Sequence, residues 1–191
     1  MGAQSPLARL SGRFGRGEGG SAMVEFALIL PFMLLLYIGM AEGSTLISID
    51  RKVQTVSGAA GGPVARANGE ISRTTLDDYV KIAGGIMTPY AADGLVQFVS
   101  QVYVDKDGNA TVDWSKRYVG QVAQTTGAHA VGSTYILPDE IKALANEQYV
   151  IVTECQDTYT PLFGIVFDKA IPLSRENFYI PRFREKIKLT S

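Results

Sequence analysis

The sequence predicts an α+β protein, with a long N-terminal transmembrane helix followed by a small exported domain containing an antiparallel sheet. Three observations carry this. Residues 26–41 form an uncharged apolar run behind a basic leader; apolar residues then recur every three or four positions as far as Val64; and from Leu95 the period falls to two. Of 191 residues, about 140 lie beyond the apolar run, enough for one domain with its own core but hardly for two. The expected division is a leader over 1–20, an N-terminal helix over 21–67 with about 25–45 in the membrane, and an α+β domain over 68–191.

Residues 1–20 are rich in Gly, Ser and Arg without apolar periodicity, which predicts a disordered leader. Arg9, Arg13 and Arg16 against Glu18 give it a net charge of +2, within a chain whose overall net charge is −1. Basic residues before the apolar run and none inside it place the N-terminus in the cytoplasm and the C-terminal portion across the membrane. Leu, Ile, Met, Ala and Phe predict a helix over 21–41. Pro31 removes one intrahelical hydrogen bond and permits a kink, which a bilayer helix tolerates when neighbours compensate. The 16-residue uncharged run spans about 24 Å against a hydrocarbon core of ~30 Å, so it draws on Ser21–Val24 and Glu42–Ile49 or lies in a thinned membrane.

Glu25 stands at the edge of this run. An ionised acid at a helix centre in hydrocarbon costs on the order of 3 kcal/mol, so it requires a partner or a wet environment. A cut between Gly20 and Ser21 would create an α-amine with a pKa of roughly 8, close enough in sequence for the amine of one copy to neutralise the carboxylate of the next in a helix bundle.

A short basic leader ending in Gly, a Glu five residues past the cut followed by Phe, and a wholly apolar segment resemble the class III signal of type IV pilin-like proteins. The wording GGSAMVEFALILPFMLLLYIG is similar to that of TadE-like minor pseudopilins of the tight-adherence (Tad, Flp-type) pilus system, over roughly residues 15–60. The resemblance implies that Gly20 precedes the cut, Ser21 is the new N-terminus, Glu25 is the assembly carboxylate and Phe26 its aromatic neighbour. At Ala41-Glu42-Gly43-Ser44 the chain departs from the acidic-aromatic-Gly-Arg pattern of many relatives. It also implies a single-pass protein of the bacterial inner membrane, acting in assembly or priming of a pilus used for surface adhesion. The implied partners are a second minor pseudopilin, the major Flp-type pilin, the prepilin peptidase, the inner-membrane assembly platform with its ATPase, and membrane lipid.

Two other readings stay open. Phe26–Ile38 has the length of a secretory h-region, and Gly39-Met40-Ala41 offers small residues where signal peptidase reads, which would release a soluble binding domain beginning at Glu42. An uncut anchor presenting a sensor or enzyme domain needs no cleavage. The mature N-terminus separates all three.

Beyond the membrane, Leu46, Ile49, Val53, Val56, Ala60 and Val64 form one helical stripe, which Gly61-Gly62-Pro63 is expected to break or kink. Thr75 and Asp78 read as the start of a second helix running to about Ala83 and ended by Gly84-Gly85. Residues 95–104 and 110–115 alternate about an Asp105-Lys106-Asp107-Gly108-Asn109 turn and predict a β-hairpin. A polar loop over 124–132, a short helix from Pro138 to about Asn146 and a strand over Tyr149–Gln156 follow, with weaker strand signals at Leu162–Phe167 and Asn177–Ile180. The expected sheet has three to five strands. The alternating tail Ile180–Leu189 reads as its closing edge strand, in preference to a basic patch for anionic lipid.

No catalytic set is legible, and no enzyme activity or cofactor is expected. The Gly-X-Ser-X-Gly elbow and the Gly-rich phosphate loop ending in Lys-Ser/Thr are absent. His129 is the only histidine and lacks metal-ligand spacing; Asp105 and Asp107 are explained by turn chemistry without a calcium ion, and Asp77-Asp78 as a first-turn helix charge pair. The net charge of −1 argues against nucleic acid as a partner. Cys155, the single cysteine, excludes an intrachain disulfide and reads as a small buried hydrophobe within a strand.

Overall fold

The computed structural model describes residues 18–191, so most of the leader reading, over 1–17, lies outside the described residues. Among the described residues there are two compact units, 18–44 with 161–168, and 45–160 with 169–191. The first helix, α1 (Glu18–Val64), supplies chain to both. It begins three residues before the predicted start at Ser21, so the Gly20–Ser21 bond lies in its first turn. The helix continues through Pro31, and residues 20–37 are exposed all round. A mean hydropathy of 2.1 over its most apolar 18 residues, none of them buried, makes α1 compatible with single-pass membrane anchoring.

The first unit also holds the 161–168 loop. Its predicted strand over Leu162–Phe167 does not form. Gly164 adopts φ +63°, outside the extended region, and the Phe163 N–H donates to Glu42 Oε1 at 2.9 Å instead of to a neighbouring strand.

In the second unit the predicted stripe is the buried face of α1: Ile49, Val53, Val56, Ala60 and Val64 lie in the core with Leu46 packed against it. Gly61-Gly62-Pro63 does not break the helix, which ends at Val64 and not at residue 67. Gly61 is a packing residue, since a Cβ there would stand 2.7 Å from the Tyr179 ring and 2.8 Å from Thr153 Cγ2. Proline in the last turn removes only one helical hydrogen bond, which such contacts offset. After β1 (Glu70–Ser72), α2 spans Arg73–Gly84 and continues into a 3₁₀ turn at Gly85–Met87. Its N-cap is Ser72, whose Oγ accepts from the Thr75 N–H at 3.1 Å, so Thr75 and Asp78 do not start the helix and Asp77-Asp78 lie beyond its first turn. The α-helix ends at this glycine pair as expected, with Gly84 its last residue and Gly85 its C-cap, although both keep right-handed helical angles and lead into the 3₁₀ turn.

The hairpin forms as β2 (Val96–Val104) and β3 (Ala110–Val119), and β4 (Val122–Gln124) is added after a tight turn. A short α3 (Asp139–Leu144) precedes β5 (Gln148–Tyr159) and β6 (Ile171–Tyr179). The sheet order is β4-β3-β2-β5-β6, antiparallel throughout. One face, with Val99, Trp114, Tyr118, Ile151 and Cys155, packs against α1 and α2. The other carries Val102, Val104, Val112, Val150 and Val152 beneath Leu137 and Ala145. Asp113 is the extra residue of a bulge between the Gln101–Trp114 and Val102–Val112 pairs.

The tail is not the closing edge strand of this sheet. Only β7 (Lys188–Thr190) is extended, and it pairs in parallel with β1 in a separate two-stranded sheet. Buried side chains decide this: the Trp114 indole N–H donates to the Ile187 carbonyl at 2.8 Å, the Ile187 N–H donates to Gln101 Oε1 at 2.9 Å, and the Ile187 side chain is in the core.

Candidate functional site

The residues singled out at the membrane edge occupy the first turns of α1. Gly20, Ser21, Glu25 and Phe26 are exposed, and nothing lies within 4 Å of a Cβ placed on Gly20. Residues four apart face each other on a helix, and the Ser21 hydroxyl donates to Glu25 Oε1 at 3.2 Å. The turn that aligns Ser21 with Glu25 therefore brings the two together within one chain, before any second copy is considered. Pro31 lies further along the same helix with its side chain exposed. At the far end of the apolar run stands Glu42, to which the sequence assigns no role beyond a departure from the family pattern. It is 2 % exposed and accepts the Phe163 amide. The readable signal was its place as the first charge after the run; its partner could not be read, because Phe163 lies 121 residues away.

This segment can be compared with known families. Residues 20–61 match the TadE-like protein family. The match begins at the junction glycine, takes in Ser21, Glu25 and Phe26, and ends at Gly61, where α1 packs on Tyr179. The match suggests involvement in the Tad pilus system. No curated protein and no solved structure matches the chain.

Outside the segment that matches the TadE-like family, a polar cluster lies on the sheet face away from α1. His129 Nε2 and Glu154 Oε1 are 2.6 Å apart, and the Tyr135 hydroxyl donates to the same oxygen at 2.9 Å. The His129 ring stacks edge-on to Tyr135 and tilted to Phe98, which neighbours Glu154 in the strand register. Glu176, paired with Glu154 across β5 and β6, has its carboxyl pushed up by desolvation and by the Glu154 charge, and drawn down by His129. These contacts fasten the 125–137 loop to the sheet. Among the described residues no three His, Cys, Asp or Glu side chains are placed to hold a metal ion. Asp105 closes its own turn, accepting from the Asp107 and Asn109 N–H groups and from Asn109 Nδ2, which lowers its pKa. Asp77 accepts from the Tyr118 hydroxyl at 2.8 Å. Cys155 is fully buried, and desolvation pushes its thiol up to about 12, far from the range of a nucleophile.

Proposed function

We propose that the chain is a minor pseudopilin precursor that acts in assembly or priming of a Tad (Flp-type) pilus. The observation that carries this is the TadE-like match beginning at Gly20, with Ser21 and Glu25 one helical turn apart inside it. In this reading α1 holds the precursor in the inner membrane with its leader in the cytoplasm. Prepilin peptidase removes residues 1–20. The freed Ser21 amine then stands one turn from Glu25, close to where the Ser21 hydroxyl stands in the precursor, and neutralises the carboxylate of its own or a neighbouring chain. That pairing offsets the cost, on the order of 3 kcal/mol, of an acid entering hydrocarbon. Phe26 packs beside the pair, and Pro31 adjusts the helix against its neighbours. The partners are a second minor pseudopilin, the major Flp-type pilin and the ATP-driven assembly platform, with the α+β domain on the periplasmic side.

N-terminal sequencing of the protein recovered from native membranes tests the reading. A start at Ser21 is expected. A start at Glu42 would make the chain a secreted soluble domain released by signal peptidase; an intact Met1 would make α1 an uncut anchor. Against cleavage after Ala41 stand the contacts at that point, because Gly39 packs on Val166 and Glu42 accepts the Phe163 amide.

A further inference from the structure

The 161–168 loop carries the sequence Pro-Leu-Phe-Gly-Ile-Val-Phe-Asp and lies in one unit with residues 18–44 of α1. Its apolar side chains are not used to build a core: Leu162 is 82 % exposed, Phe163 56 %, Ile165 55 % and Val166 47 %. Four large apolar residues exposed together in one short loop form a patch that calls for a partner surface. The loop is also held in place. The position of a Gly39 Cβ would lie 3.3 Å from Val166 Cγ2, and the Phe163 N–H donates to Glu42 Oε1.

The position of those contacts along α1 decides what the patch meets. Gly39 and Glu42 follow Phe26 by about 20 and 24 Å of helix, at ~1.5 Å per residue. With Glu25 at one membrane boundary, the loop's contacts fall within the outer ~10 Å of a ~30 Å hydrocarbon core, and at its edge where the bilayer thins to the ~24 Å apolar run. Two further features fit a boundary and not the membrane interior. A loop leaves backbone groups without partners, which hydrocarbon does not tolerate, and the charged pair Asp168-Lys169, exposed, follows the apolar residues directly. The Phe163 amide and the loop's cover also let Glu42, otherwise a charge facing the headgroup boundary, remain 2 % exposed.

We infer that the 161–168 loop is a membrane-interfacial element: Leu162, Phe163, Ile165 and Val166 insert into the outer boundary of the bilayer, against the emerging end of α1. The occupant of the patch is lipid. This rests on residues 26–41 crossing the membrane.

The test is nitroxide accessibility in the full chain reconstituted into phosphatidylcholine–phosphatidylglycerol vesicles. Single labels at Leu162→Cys and Ile165→Cys in a Cys155→Ala background are compared with Leu34→Cys on α1 and Lys106→Cys in the β2–β3 turn. The expected ratio of oxygen to nickel-chelate collision at 162 and 165 is several-fold above that at 106 and approaches that at 34. Labels at 162 and 165 that behave like 106, with 34 in lipid, overturn the inference and leave the membrane helix standing. Labels immobilised and shielded from both reagents show a protein contact instead and also overturn it. A water-exposed label at 34 removes the membrane helix and this inference together. Leu162 and Ile165 are exposed, so their replacement leaves the core untouched, and the two sites check each other.

Discussion

Ser57 on α1 and Thr153 on β5 exchange two buried hydrogen bonds: the Ser57 hydroxyl donates to the Thr153 carbonyl at 2.9 Å, and the Thr153 hydroxyl donates to the Ser57 carbonyl at 2.8 Å. Each hydroxyl satisfies a backbone acceptor at the helix–sheet contact. Thr153→Val keeps the shape and removes one bond, and should cost about 1–2 kcal/mol in urea unfolding; the double variant with Ser57→Ala should cost less than the sum of the two if the pair acts as a unit.

Gly61 and Gly62 are adjacent in α1, and alanine should cost more stability at Gly61 than at Gly62. At Gly61 the new methyl meets the Tyr179 ring and Thr153 Cγ2 at under 3 Å, so overpacking of about 1–3 kcal/mol outweighs a helix-propensity gain of up to ~1 kcal/mol. At Gly62 nothing lies within 4 Å beyond its chain neighbours, so the propensity gain is opposed only by the restriction that Pro63 places on the residue before it. Paired thermal melts of the two variants check this.

His129→Ala should lower stability by about 1–3 kcal/mol, because Glu154, 8 % exposed, then keeps only the Tyr135 donor on its Oε1. The loss of the imidazole should also raise the Glu176 pKa further, since His129 draws it down while desolvation and Glu154 push it up. An acid whose folded pKa is raised holds its proton more tightly when folded, so stability falls as pH rises through the ordinary carboxylate range, more steeply in the variant. Carboxylate NMR titration reads the shift. Zinc or EDTA should leave the wild-type melt unchanged, as the cluster is a hydrogen-bonded latch.

Cys155 should resist thiol reagents at pH 8 in the folded protein and react fully in denaturant. Its thiol is pushed up from 9.0 to about 12 by burial, first, and by Asp157. The folded state therefore keeps the proton that the unfolded chain releases, and the Cys155 contribution erodes stability only as pH rises from about 9 toward 12.

Glu25→Ala should leave precursor cleavage and the folded domain intact, because Glu25 is exposed and its hydrogen bond runs to Ser21 in the same helix. Piliation should fall sharply. Normal filaments from cleaved Glu25→Ala protein would remove the assembly role from this carboxylate.

Periodicity is local, and what it governs was legible. The stripe from Leu46 to Val64 is buried as its three- and four-residue spacing requires, and the alternation from Leu95 gives β2 and β3 about the Asp105–Asn109 turn. Helix ends were less so: Thr75 offers the same cap chemistry as Ser72, and only the fold shows which hydroxyl receives the N–H.

Local patterning alone specifies a long apolar helix, an acid beside its apolar run, and the change of period that makes the sheet. All of these follow from the order of polar and apolar residues along a few turns of chain. Apolar residues without a clear period find their places only through contacts with distant segments. Leu162–Phe167 could have been a strand, and the left-handed Gly164 and a bond to Glu42 made it a loop against α1. The tail could have closed the sheet, and the Trp114 and Gln101 side chains, inside a core assembled from distant segments, hold Ile187 elsewhere. Glycine at 61 reads as a helix breaker because local propensity counts only its own backbone freedom; a ring from β6 needs the space its missing side chain leaves.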